Sequence, residues 1–292
     1  MDFIIFIGDA WNDHAGDPAE VARRLDDGLR LVTDEDQLNQ LMTLGHHLYG
    51  DHLGQWHEGM AFIERLSAQP VFAAEGASGQ SGRRCLASLR VAAGDEVAFD
   101  VLATSDRVRV GAMAAANLCD HDTVRAHRLL QEALDLAERS GLPAGDPMHR
   151  ALAIAGNNLA SGLEQKPARS TDERALMILA AQAARRHWSI AGTWLEVERA
   201  EYRLANTWLQ AGDVDRAREH AQACLAIVDA NGGAALERLF GWAALGLVER
   251  AAGHAQGHAQ ALARAREAFD ALDADDKGWC AETIDKLTAP TV

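Results

Sequence analysis

A ten-residue phrase recurs along the chain and constrains its fold more than any other feature. Leu86-Ala-Ser-Leu-Arg-Val-Ala-Ala-Gly-Asp95 and Leu204-Ala-Asn-Thr-Trp-Leu-Gln-Ala-Gly-Asp213 share Leu, Ala, Ala, Gly and Asp in register. Leu245-Gly-Leu-Val-Glu-Arg-Ala-Ala-Gly-His254 repeats the frame. After Gly212 come Ala217, Ala221 and Cys224, small residues at helical spacing. The phrase therefore describes a helix, a glycine turn and a second helix whose small residues let the pair approach closely. A helix pair of this kind cannot bury its apolar face alone, so copies must stack into an array.

Composition agrees with an all-α chain. Of 292 residues 48% are apolar and only 6 are proline, so little interrupts helices. Alanine, the strongest helix former, is abundant, and Val, Ile and Thr form no alternating runs that would make a sheet. The formal net charge is −15. Binding a phosphate backbone requires Lys and Arg to neutralise it, and no basic stripe offsets this charge, so nucleic acid is not an expected partner. Cys85, Cys119, Cys224 and Cys280 are scattered without a CxxC pair, as in reduced cytosolic proteins. The apolar start, Phe3 to Ile7, is short and preceded by Asp2 where a signal peptide carries positive charge. No run approaches the roughly 20 apolar residues needed to span a bilayer. A cytoplasmic location with no membrane partner is expected.

Residues 1–16 read as a lead-in, with Phe3–Ile7 as a short strand or, preferably, an apolar plug over the first helix. Asp17-Pro18 opens a helix to about Leu31, and Thr33 or Asp34 caps the next, which carries Leu44-Gly45. Gly54–Trp56 is a turn before a helix ending near Leu66. The stretch from Pro70 to Arg83, with Gly76, Gly79 and Gly82, reads as an inter-repeat loop, since no Gly-Lys-Ser/Thr of a phosphate loop follows. A short helix from Asp95 to Thr104 follows the Leu86 frame, and Ser105 is expected to cap the helix carrying Met113-Ala114. Helix pairs are then expected over 149–164 and 171–188, over 193–211 and 214–231, and over 234–252 and 260–272. Lys277–Thr288 reads as a capping helix covering the last apolar face.

With the reference positions Leu44, Leu86, Met113, Leu204 and Leu245, the chain resembles an irregular tetratricopeptide-repeat array over roughly residues 34–272. It is similar to the helical arrays attached to some bacterial transcriptional regulators. The resemblance implies a right-handed α–α superhelix of antiparallel helix pairs, about a dozen helices in a single solenoid domain over 1–292, with 277–292 as capping helix and tail.

In such arrays the first helices line a concave groove. Relative to Leu204, the groove-facing positions are Arg199, Tyr202, Arg203 and Asn206, and one first helix earlier they are Asn157 and Asn158. Arg199 and Arg203 are four apart and project from one face, and guanidinium forks suit a carboxylate. This is similar to the carboxylate clamp of co-chaperone tetratricopeptide domains, with Asn206 at the clamp's Asn position and Arg203 where some clamp repeats carry Lys or Arg. The next first helix departs from the clamp with Phe240, Ala243, Ala244 and Leu247. The competing reading pairs the arginines with Glu196, Glu198 or Glu201 on a solvated face. The expected function is non-catalytic binding of a peptide segment or partner protein, with self-association into a homodimer left open.

His46, His47, His52 and His57 form a second cluster and would serve an alternative role, a small-ligand or metal sensor. Helical metal sites use histidines four apart, and no two of these have that spacing, so neither a metal nor a cofactor is expected. His46 is expected to face the groove and His47 to face away from it. An enzyme of unknown class is the remaining alternative. No Gly-x-Ser-x-Gly occurs, and Asp273–Asp276 lacks the Gly and Glu of a calcium loop. Trp188, Trp194, Trp208 and Trp242 read as core.

Overall fold

The computed structural model describes residues 2–289. Among these the chain forms fourteen α-helices and no strand. No helix is long and apolar enough to cross a membrane. The chain divides into two compact units, Met1–Ala151 and Leu152–Val292.

The first unit contains α1 (Phe3–Asp13), α2 (Pro18–Leu31), α3 (Glu35–His46), α4 (Trp56–Ser67), α5 (Ala77–Ala92), α6 (Thr104–Leu118) and α7 (Thr123–Ser140). A π-helical turn, His47–His52, continues α3, and a 3-10 turn, Glu96–Phe99, follows α5. α8 (Pro147–Gln165) leads into the second unit, which holds α9 (Thr171–Ala191), α10 (Trp194–Ala211), α11 (Val214–Ala230), α12 (Ala235–Ala251), α13 (Ala255–Asp270) and α14 (Ala274–Thr288).

Local chemistry explains where these helices start and stop. Asp2, Asp17, Asp34, Asp122, Asp213 and Asp273 each accept a hydrogen bond from a backbone N–H of the helix they precede. Ser170 and Thr193 form reciprocal capping boxes with Glu173 and Glu196. Each such cap contributes about 1 kcal/mol. The glycine of the recurring phrase ends its helix in a left-handed conformation, with φ of 108° at Gly94, 86° at Gly212 and 72° at Gly253. Any other residue is strained there, which is why glycine recurs in register.

Small residues then set how closely neighbouring helices approach. A methyl group on Gly45 would fall 2.3 Å from the ring of Phe62, and one on Gly111 would fall 3.1 Å from Ala133. In the second unit, Gly156 faces backbone: an added Cβ would lie 2.4 Å from the Ala180 carbonyl oxygen and 3.0 Å from the Ala184 nitrogen. Within that unit each helix from α9 packs on the next, and α10 also packs on α12, the pattern of stacked helix hairpins. In the first unit Phe6, Leu25, Leu41, Met42, Phe62 and Leu89 fill one apolar core. The Arg250 guanidinium donates to the carbonyl oxygens of Lys286 and Ala289, at 2.8 and 3.0 Å, and so ties down the end of α14.

Several sequence expectations are corrected. Residues 3–13 are a full helix rather than a plug, because Asp2 caps it and Phe3, Phe6, Ile7 and Ala10 form one buried stripe. Gly79 and Gly82 lie inside α5, not in a loop. Gly79 is needed where the Ala74 carbonyl folds against the helix, since a Cβ would come within 1.9 Å of that oxygen. The segment after Asp95 makes only the short 3-10 turn. Ser105 does not cap α6; its hydroxyl donates to Asp146 at 2.6 Å, and Ala103 takes the cap position. Of the four tryptophans read as core only Trp208 is buried, while Trp194 is exposed.

Two substitutions test the close approaches. Gly156→Ala must displace backbone, and Ala217→Leu forces a branched side chain into a fully buried site. Each is expected to cost about 1–3 kcal/mol and to lower the melting temperature measured by circular dichroism. An unchanged melting temperature would contradict the packing described.

Candidate functional site

The second unit contains a cavity of about 370 Å³ whose walls come from α8, α10, α12 and α14. Helical spacing puts Glu198, Arg199, Tyr202 and Arg203 of α10 on its lining, and Glu237 and Phe240 of α12 join them. Trp279 of α14 closes one side. Three aromatic rings run in sequence. Tyr202 meets Phe240 edge-on with centroids 5.6 Å apart, and Phe240 meets Trp279 at 5.5 Å. Trp279 is 69% exposed, an unusual position for an indole without a further partner.

The charged groups are unequally satisfied. Arg203 is ion-paired with Glu164, whose other oxygen accepts from the Thr207 hydroxyl. Arg203 also reaches Asn157 Oδ1 at 3.4 Å. Arg199 donates to Glu237 at 3.2 Å. Glu198 has no such partner. Its Oε1 accepts from the Cys224 thiol at 2.9 Å, and its Oε2 is buried with no hydrogen-bond partner. Burial, helped by the nearby Glu237 carboxylate, raises the Glu198 carboxyl above the usual carboxylate range. Burial likewise raises Glu164, against the opposing pull of Arg203 and Thr207. The Cys224 thiol is pushed far upward by burial and by Glu198, so it remains a protonated donor.

Of the six residues expected in the groove, the structure brings four to this cavity: Asn157, Arg199, Tyr202 and Arg203. Asn158 is exposed, and its side-chain oxygen accepts from the neighbouring Asn157 amide at 3.4 Å. Asn206 turns back on its own helix and donates to the Tyr202 carbonyl at 2.9 Å. The arginines do not take the nearby acids of their own helix. Their carboxylate partners come from α8 and α12, about one stacked helix away in each direction. Glu198, Glu237 and Trp279 were missed as site residues, because acids in α10 and α12 and a tryptophan in the capping helix look like ordinary surface and core residues. Among the histidines, His46 is buried and bonds the Ser88 hydroxyl at 2.7 Å rather than facing a groove, and His57 lies exposed on α4.

Arg203→Ala leaves Glu164 buried with the Thr207 hydroxyl and only the more distant charge of Arg169 to support it. Removing one partner of a buried pair costs about 3–5 kcal/mol, so the melting temperature is expected to fall at neutral pH. The folded-state pKa of Glu164 lies above its unfolded value, so its penalty on folding is absent below the unfolded value, grows between the two and is complete above the folded one. The deficit of the variant should therefore shrink as pH is lowered and Glu164 protonates. Thermal melts across a pH series check this, and a deficit independent of pH would refute it.

No protein-family model, curated protein or solved structure matches this chain, so its function must be sought in the geometry of its own residues.

Proposed function

We propose that the chain is a non-catalytic interaction protein of tetratricopeptide-like build, whose second-unit cavity receives a basic side chain from a peptide segment of a partner protein. One observation carries this reading: the buried, unpartnered Oε2 of Glu198 in the wall of an aromatic-lined cavity. A buried carboxylate oxygen without a donor costs free energy that an arriving ammonium or guanidinium would recover. Tyr202, Phe240 and Trp279 line the cavity, and aromatic surface there suits both a cation and the methylenes of a Lys or Arg stem. Arg199 and Arg203 already hold carboxylates, so the ligand charge best suited to the site is positive. The net charge of −15 favours the same class of partner by drawing basic segments to the surface. This reverses the ligand charge expected from the arginines alone, and a carboxylate-clamp role is not part of the proposal. The four free cysteines, three of them buried, support a reducing cytoplasmic setting.

Selection of random peptides displayed on phage against the immobilised protein tests the proposal. Enrichment of Lys- or Arg-containing sequences is expected, and enrichment of acidic or uncharged sequences would overturn it. For a synthetic peptide so selected, Glu198→Gln should weaken binding by about tenfold or more, as loss of a charge-assisted bond worth roughly 1.5–3 kcal/mol implies. The same substitution should stabilise the free protein. Because the folded-state pKa of Glu198 is raised, its penalty is absent at low pH, grows above the unfolded value and is complete above the folded one. The gain in melting temperature should therefore be greatest at neutral pH. Weaker binding together with higher stability distinguishes a ligand-directed carboxylate from a structural one.

A further inference from the structure

Three imidazoles meet in the first unit although the sequence spacing does not announce it. His14 follows the last residue of α1, and His47 and His52 bound the π-helical turn. A ring nitrogen of each lies within 4.8 Å of the others. His47 Nε2 and His52 Nε2 are 3.0 Å apart, and the three ring centroids are separated by 4.6 to 5.3 Å. In an α-helix, residues five apart point in different directions. A π-helical turn bonds residue i to i+5, as the Leu53 N–H does to the Leu48 carbonyl at 3.0 Å, and it therefore brings positions 47 and 52 to one side.

The remaining ring nitrogens and their neighbours prepare these imidazoles as ligands. His47 Nδ1 donates to Asp51 Oδ2 at 2.7 Å, and His14 Nδ1 donates to the Trp11 carbonyl. Because neither oxygen carries a hydrogen, Nδ1 holds the proton in both rings and Nε2 keeps a free lone pair. A carboxylate or carbonyl on the far nitrogen is the arrangement that orients metal-binding histidines. Trp11 flanks both rings, with centroids 5.1 Å from His14 and 5.5 Å from His47, and restricts their rotation. Independently, Asp51 Oδ1 is buried and has no hydrogen-bond partner. A dication held by His47 would compensate this carboxylate through the imidazole.

We propose that His14, His47 and His52 form a binding site for a borderline divalent transition-metal ion of the zinc class, with Asp51 as the positioning carboxylate of His47. Zinc–nitrogen bonds of about 2.0–2.1 Å place tetrahedral donors roughly 3.3 Å apart. The 3.0 Å pair nearly meets this, and the widest gap closes by at most about 1.5 Å. On binding, the proton on His52 Nε2 passes through water to Nδ1 of the same ring, so that the imidazole stays neutral and both Nε2 lone pairs face the ion. Three protein nitrogens leave a fourth tetrahedral position for water or an outside ligand.

The test is calorimetric titration of zinc chloride into the full chain. A single stoichiometric site of micromolar or tighter affinity is expected. His14→Ala, His47→Ala and His52→Ala should each weaken it at least tenfold, and Asp51→Asn by about 10–100-fold. His57→Ala, on the exposed face of α4, should leave it unchanged. Absence of a stoichiometric site, or a site that survives His47→Ala and His52→Ala, would overturn the proposal. Cobalt(II) added to the unaltered chain provides a check independent of variant folding. The intense visible absorption of a tetrahedral centre is expected, and the weak spectrum of the hexaaqua ion at stoichiometric cobalt would also overturn it.

Discussion

The close approach of helix to helix at residues with little or no side chain is the constraint on which the rest of the structure depends. Gly156 against the Ala180 backbone, Gly45 under Phe62 and Gly111 against Ala133 each admit a neighbour that a larger residue would hold away. Close-packed interiors tolerate little deviation from such spacings. Because these contacts recur from one helix to the next, they also determine which side chains share a face. In the second unit, the same stacking that buries Ala205, Ala221 and Ala244 turns the polar stripe of α10 toward α8 and α12. The cavity therefore arises from the packing and was not added to it.

Within that cavity, charge is distributed by which partner reaches which residue, and the outcome differs from a count of charges along one helix. Arg203 is held by Glu164 and Arg199 by Glu237, so two cations that look available in sequence are already engaged. Glu198 looks like one half of an ordinary surface pair, yet it is buried, and only a thiol supports it. Desolvation without full compensation is costly, and that cost is the ground on which a cationic ligand is proposed for Glu198.

The fold was largely legible because its signals are local. Glycine at a left-handed helix end, aspartate at a helix start and alanine at helical spacing each act over a few residues. Their repetition located most helices from α2 onward to within a turn. The helix at Phe3–Asp13 was missed because its apolar residues are too evenly spread for a helical face to stand out, with Ile4 and Ile5 exposed beside the buried Phe3 and Phe6. Four of the six expected groove residues line the cavity, since the repeat frame around Leu204 gives their orientation. Their ion-pair partners lie 38 and 39 residues away, and no periodicity within α10 encodes them. The histidine cluster was hidden for a different reason. Its spacing of five is uninformative for an α-helix and becomes meaningful only when the backbone widens into a π turn, and its third member, His14, is positioned by the end of the missed first helix.

The tether formed by Arg250 gives the chain end a thermodynamic role. α14 supplies Trp279 to the cavity and packs on α12 and α13. Its last turn is held by one guanidinium on the carbonyls of Lys286 and Ala289. Helix ends open locally at far lower free energy than the core of an array. Order in this helix and occupancy of the cavity are therefore linked quantities: a ligand that leans on Trp279 suppresses fraying, and fraying lowers the affinity by the same factor. In the proposed mode of binding, α14 would act as an adjustable jaw, steadied by buried Cys280 and Leu287 and by an arginine that does not line the cavity.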